Sequence, residues 1–207
     1  LHPDPIVRRN AAIAISMLGQ QSAVTVLARA MKDTDAGVRH HALEGMARLG
    51  NKEAALELTF MANSGVGSEE VFAINALAST GNTVYEDAFR YKLSSGSHLE
   101  TRLAAARALG KLGIDAGLSV VLEALKPNQP VRQDPEDPPA DQLLRIRQLA
   151  SAAAGAIGNS RAVPMLESFL NDGTDPRVQI SAARALIEIA EKPGRPSSPF
   201  QASLGNR

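Results

Sequence analysis

A glycine that returns at a fixed step constrains this chain more than any other feature. An apolar residue or Thr followed by Gly occurs at Leu18-Gly19, Leu49-Gly50, Thr80-Gly81, Leu112-Gly113 and Ile157-Gly158. The steps between these glycines are 31, 31, 32 and 45 residues, and a further step of 32 reaches Ala190. Self-similarity at this period is the mark of a repeat architecture, in which each unit completes its core on its neighbours. The single long step exceeds 32 by 13, and residues 127–140 account for it, with prolines at 127, 130, 135, 138 and 139. Proline removes a helical donor, so this stretch is expected to be a loop inserted into a regular array. Deleting about 13 residues is expected to restore the period and leave the array folded.

Alignment on the glycine marks gives a packing pattern. Eight residues before each mark stand Ala11, Ala42, Ala73, Ala105, Ala150 and Ala182. Five before stand Ala14, Gly45, Ala76, Ala108, Ala153 and Ala185, and four before stand Ile15, Met46, Leu77, Leu109, Ala154 and Leu186. These spacings form one stripe of an α-helix, and the small residues admit a close neighbour. Eight residues after each glycine a second stripe contains Leu27, Leu58, Phe89, Val121 and Leu166. These second helices are expected to end near Lys32, Asn63, Ser94, Lys126 and Asn171. Gly terminates the first helix because positive φ costs it nothing. Asp4-Pro5, Asp33-Thr34-Asp35 and Asp175-Pro176 supply N-caps at the other turn. The fold class is all-α: an α-solenoid of stacked antiparallel helix pairs, about five repeats plus a leading half repeat. The solenoid covers residues 1–190, and residues 191–207 form a Pro/Ser/Gly-rich tail.

The run Asp33-Thr34-Asp35-Ala36-Gly37-Val38-Arg39-His40-His41-Ala42-Leu43 resembles a HEAT repeat, as do Asp4-Pro5-Ile6-Val7-Arg8 and Gly158-Asn159-Ser160-Arg161-Ala162-Val163-Pro164-Met165-Leu166. The short period is similar to the compact, armadillo-like variety found in phycobilin lyases and bacterial scaffold proteins. The resemblance implies that the helix starting at Val-Arg is the inner member of each pair and lines a concave face. It gives repeats at 20–49, 51–80, 82–112, 114–157 and 159–190, with the helix from Ile6 to Leu18 as an unpaired inner helix. The family also implies an Asp and an Arg six residues apart that bond neighbouring repeats. Asp33/Arg39 and Asp141/Arg147 match it, Arg8 and Arg102 keep the Arg alone, and Glu70 and Gln179 replace it.

Composition removes several functions. Lys+Arg and Asp+Glu both number 22, so net charge gives no reason to expect nucleic acid. No Cys is present, which excludes disulfides, thiolate metal sites and cysteine nucleophiles, and no apolar run approaches the ~20 residues of a membrane span. His40 and His41 are adjacent, so a helix turns them ~100° apart rather than onto one metal. No His-x-x-x-His is present, and no metal or cofactor is expected. Gly65-Val66-Gly67-Ser68-Glu69-Glu70 lacks the Gly-Lys-Ser/Thr ending of a phosphate loop and reads as a turn with Ser68 as N-cap. Glu69, Glu70, Asp134, Glu136 and Asp137 could be drawn as acid and base, but turns ordinarily carry such residues in solvent. No catalytic residue is assigned.

Positions thirteen, six and two before each mark share one helical face. With adjacent positions added, that face yields His41, Glu44, Arg48, Phe72, Asn75, Arg107, Lys111 and Arg184 as the expected concave binding surface for a protein or peptide ligand. Glu100 and Arg145 share its register, and the 127–140 insert is the second candidate surface. In the first helix the same positions are Ile6, Ile13 and Met17. End repeats of a solenoid normally become more polar, so this chain is expected either to be a piece of a longer array or to pair with a second copy through that helix. The tail, with Phe200 and Leu204, offers a third cover for an apolar face. The function read from sequence is a noncatalytic protein- or peptide-binding scaffold; the alternative is a phycobilin-lyase-like enzyme or enzyme subunit. The sequence assigns no compartment.

Overall fold

A computed structural model describes residues 2–132, 136–171 and 173–192. Contacts divide the chain into two compact units, Leu1–Tyr85 and Glu86–Arg207. Among the described residues both units are built of helices and tight turns, and each stacks antiparallel helix pairs in chain order, as an α-solenoid does. The repeating glycines are reflected in the backbone: Gly19, Gly50, Gly81, Gly113 and Gly158 have φ between 62° and 84°. That conformation ends each inner helix and starts the turn to the next outer one.

The first unit contains α1 (Pro5–Leu18), α2 (Val24–Ala30), α3 (Ala36–Arg48), α4 (Lys52–Ser64) and α5 (Ser68–Ser79). Asp4 caps α1 by accepting from the Ile6 amide at 2.8 Å, and Asp35 caps α3 by accepting from the Val38 amide at 2.9 Å. The expected N-cap at Ser68 is not observed: Ser68 is the first residue of α5, and Gly67, with φ 61°, takes the capping position without a side-chain bond. Outer helices α2 and α4 present Leu27 and Leu58 to the core, both fully buried. Burial of such a side chain contributes ~1.5–3 kcal/mol, which these short helices need because they are marginal alone.

The small-residue stripe is buried in α3 and α5 through Ala42, Gly45, Ala73 and Ala76. It fails in α1, where Ala11 and Ala14 are exposed and Ala12 and Ser16 are the buried residues. The cause is one-sided packing, since α1 meets α3 across one face. A Cβ at Gly45 would stand 2.6 Å from that of Ser16, so this contact requires glycine.

Arg8 joins the repeats here. Its Nε and Nη2 donate to the two carboxylate oxygens of Asp33 at 2.8 and 2.7 Å, so its acidic partner lies in the following turn. The hydrogen bond from Arg8, with a second from the Asp35 amide, holds the Asp33 carboxyl at about 2. Arg39 donates to the Asp33 and Thr34 carbonyls, and Arg8 does the same for His2 and Pro3.

The second unit contains α6 (Glu86–Ser95), α7 (Leu99–Lys111), α8 (Leu118–Ala124), α9 (Pro139–Ile157), α10 (Val163–Ser168) and α11 (Pro176–Glu191). Its core gathers Leu103, Val121, Ile146, Leu166, Phe169 and Val178 around the alanines of α7, α9 and α11. Outer helices again end within a few residues of expectation. Arg147 lies over the Phe169 ring, 5.4 Å from its centroid. Asp175 caps α11 by accepting from the Arg177 amide at 2.8 Å.

The insert differs from a free linker at both described ends. Pro139 and Ala140 already belong to α9, where proline suits the first turn because no helical donor is needed there. Val131 packs against the core. Residues 133–135, including Asp134, and the tail beyond Lys192, including Phe200 and Leu204, lie outside the described residues.

Candidate functional site

In the first unit, three inner helices form an open cleft lined by Arg9, Gly37, His40, His41, Ser68, Glu69 and Phe72. Phe72 is its one phenyl ring. His40 stacks on Phe72 with centroids 4.7 Å apart and planes at 20°, while His41 meets the ring edge-on at 6.2 Å and 88°. Both contacts tie the Phe72 ring of α5 to α3. Gly37 makes room for Arg9, because a Cβ there would collide with the guanidinium. Arg9 is held in place by Asp35, to which its Nη2 donates at 3.0 Å.

The surrounding charges are weakly set. Burial lowers the His40 pKa, which favours the neutral ring. Burial also pushes the Glu44 carboxyl up, but hydrogen bonds from His41 and Ser79, with the charges of His41 and Arg48, more than offset it and its pKa falls. His41 Nδ1 stands 3.6 Å from Glu44 Oε2. The cleft therefore presents an aromatic ring bordered by two imidazoles, the Arg9 guanidinium and the Glu69 carboxylate.

Of the residues expected on the face, His41 and Phe72 line the cleft, Glu44 stands beside His41, and Arg48 and Asn75 lie on the same two helices. The Asn75 amide also donates to its own helix, at Val71 O. Arg9 and His40 were absent from the expected face. They share the position ten before the mark, one residue outside the register used, and their signal was the histidine pair itself. Ile6 and Met17 on α1 are 62% and 68% exposed, and Ile13 is half-buried.

The second unit carries Arg107 and Lys111 on α7 and Arg184 on α11. Arg184 is exposed and its Nε donates to Glu188 at 2.8 Å. Sequence reasoning missed how the insert meets this face. Gln142, almost fully buried, accepts from the Arg132 amide at 2.9 Å and donates to the Arg132 and Asp137 carbonyls at 3.0 and 2.5 Å. Arg145 Nη2 contacts both Asp137 oxygens, at 2.7 and 2.6 Å, and stands 3.6 Å from Glu100. The hydrogen bond to Asp137, with the Asp137 and Glu100 charges, raises the Arg145 pKa. Asp137 is therefore a structural partner, and Glu70 is buried in α5. Among the described residues no three His, Asp or Glu are grouped to hold a metal, and no helix is long and apolar enough to cross a membrane.

A family model described as HEAT repeats matches residues 1–71, and one described as PBS lyase HEAT-like repeat matches residues 101–127. The chain is built of compact HEAT-like repeats. No curated protein matches it. Among solved structures, it is similar to a chain in the complex of CpcE and CpcF of phycocyanin lyase from Nostoc sp. PCC7120, with 22% identity and a TM-score of 0.49. The match covers 82% of this chain and 66% of that one, just under two thirds of its length.

Proposed function

We propose that the chain is a noncatalytic scaffold that binds a protein or peptide on the inner-helix face, with the Phe72 cleft as anchor. The observation that carries this reading is an aromatic ring held by two histidines in a cleft shared by three inner helices. Binding surfaces concentrate their energy in such aromatic anchors, while rim charges such as Arg48 tune encounter and salt dependence. Selection from a displayed peptide library, followed by titration of recovered peptides, tests it. Phe72→Ala is expected to weaken binding at least tenfold without unfolding the chain, and charge reversal at Arg107 and Lys111 tests the second unit's inner face separately. Affinity that survives Phe72→Ala and His41→Ala together refutes the cleft.

A homodimeric contact through Ile6, Ile13 and Met17 is part of the same proposal, supported by the exposure of Ile6 and Met17. The second reading, a phycobilin-lyase-like enzyme or enzyme subunit, draws on the repeat type matched at residues 101–127. Visible absorbance retained after incubation with a free bilin would favour it over the scaffold.

A further inference from the structure

The contacts of the insert differ in kind from those of a loop held by apolar packing. The Gln142 amide pairs with both the N–H and the C=O of Arg132, as the edge of a neighbouring strand would. It reads the peptide groups of one residue, whatever that residue's side chain. Arg145 grips a carboxylate five residues further on with both Asp137 oxygens in reach. Glu100 stands 3.6 Å from Arg145 and 4.0 Å from Arg132, so it orients the first and receives the second. Arg132 Nη1 also lies 2.8 Å from His98 Nδ1. Glu100 and Arg145 occupy the inner-face register, thirteen residues before their glycine marks.

We propose that Glu100, Gln142 and Arg145 form a second peptide-binding site, for an extended segment with a basic residue followed by an acidic one, and that the chain's own insert fills it in cis. The backbone-reading group is 2% exposed and built into α9, whereas Arg132 of the occupant and Arg145 of the site have side chains 50% and 42% exposed. The site is therefore pre-organised below and open to competition above. A tethered occupant acts at an effective concentration of order mM, so a free peptide displaces it poorly unless the tether is weakened. This site is separate from the Phe72 cleft and does not depend on it.

The test uses a fluorescent peptide reproducing residues 127–138 and two full-length chains. In the first, residues 128–137 are replaced by a Gly/Ser run of equal length; in the second, Asp137→Asn weakens the tether. Fluorescence anisotropy is expected to show at least tenfold tighter binding to either chain than to the unaltered protein. Adding Gln142→Ala or Arg145→Ala is expected to abolish that gain, and Phe72→Ala to leave it unchanged. The Asp137→Asn chain keeps Val131 on the core and answers the question if the replaced chain does not fold. Equal or absent binding to the unaltered and Asp137→Asn chains at mM peptide overturns the proposal, as does a gain that survives loss of Arg145.

Discussion

Two Gly→Ala substitutions in helices of this protein are expected to differ in outcome because of what each methyl group meets. At Gly110, in α7, an added Cβ would lie 2.7 Å from the Ile157 backbone nitrogen and 2.8 Å from the Ala156 carbonyl carbon. Carbon contacts are comfortable at ~3.5–4.0 Å, so α7 and the end of α9 would have to part by a large fraction of an ångström. Backbone cannot turn aside as a side chain can. Overpacking of this kind costs ~1–3 kcal/mol, against the ~1 kcal/mol that alanine returns in helix propensity. Gly110→Ala is therefore expected to destabilise by about 1 kcal/mol net. At Gly37 the added methyl meets the far end of the Arg9 side chain, which can swing into solvent at the loss of its partly exposed pair with Asp35, a contact of small net worth. Gly37→Ala is expected to stay within about 0.5 kcal/mol of the unaltered protein, because propensity gains are small in the first turn. For chains of this size 1 kcal/mol corresponds to about 2–4 °C in Tm. Thermal and urea unfolding of both variants, with hydrogen exchange across α7, make the comparison. A Gly110→Ala protein as stable as the unaltered chain, or a Gly37→Ala protein destabilised as much as Gly110→Ala, would refute the reasoning.

Asp33 makes stability depend on acid. Its carboxyl titrates near 3.8 when unfolded and at about 2 when folded, so the Arg8 pair stabilises fully above pH ~4 and the effect is lost as pH falls toward 2. Tm measured from pH 5 to pH 2 is expected to fall less steeply in Asp33→Asn, and an unchanged slope would count against the pair. Gln142→Ala removes three hydrogen bonds to the insert and is expected to cost about 1–3 kcal/mol, read as a lower urea midpoint with faster exchange at the Arg132 amide. Removing 13 residues from the insert is now expected to lower Tm, because Val131 leaves the core with them. Met17→Glu in α1 is expected to reduce any self-association seen by sedimentation; a clean monomer at high concentration before substitution removes the dimer proposal.

The repeat was legible in the sequence because its determinants are local. Positive φ at the five glycine marks, caps at Asp4, Asp35 and Asp175, and buried Leu27, Leu58, Phe89, Val121 and Leu166 all follow from spacing within one helix pair. The stripe of α1 misled because burial depends on having neighbours on both sides, a property of the stack rather than of the helix. Ser68 misled for a similar reason: Gly67 at φ 61° places the chain entry one residue earlier than a serine cap would. The site was half legible. His41, Glu44 and Phe72 share a face by helical arithmetic, but Arg9 enters the cleft only because Gly37, on another helix, leaves space for it.

The insert shows where such arithmetic stops. Glu100 and Arg145 stand thirteen residues before their glycine marks, as Gly37 and Ser68 do before theirs. Their fates differ because of what each meets across the helix boundary. Gly37 and Ser68 border an open cleft, while Glu100 and Arg145 meet Arg132 and Asp137 of the insert. The proline-rich composition that ruled out a helix through most of residues 127–140 also favours extended backbone, the conformation in which peptide N–H and C=O groups remain available to a side-chain amide. Gln142, three residues into α9 from Pro139, supplies that amide from a helix turn fixed by the repeat. Arg132 and Asp137 are thus held by side chains of α7 and α9 at the register that, in the first unit, borders an open cleft.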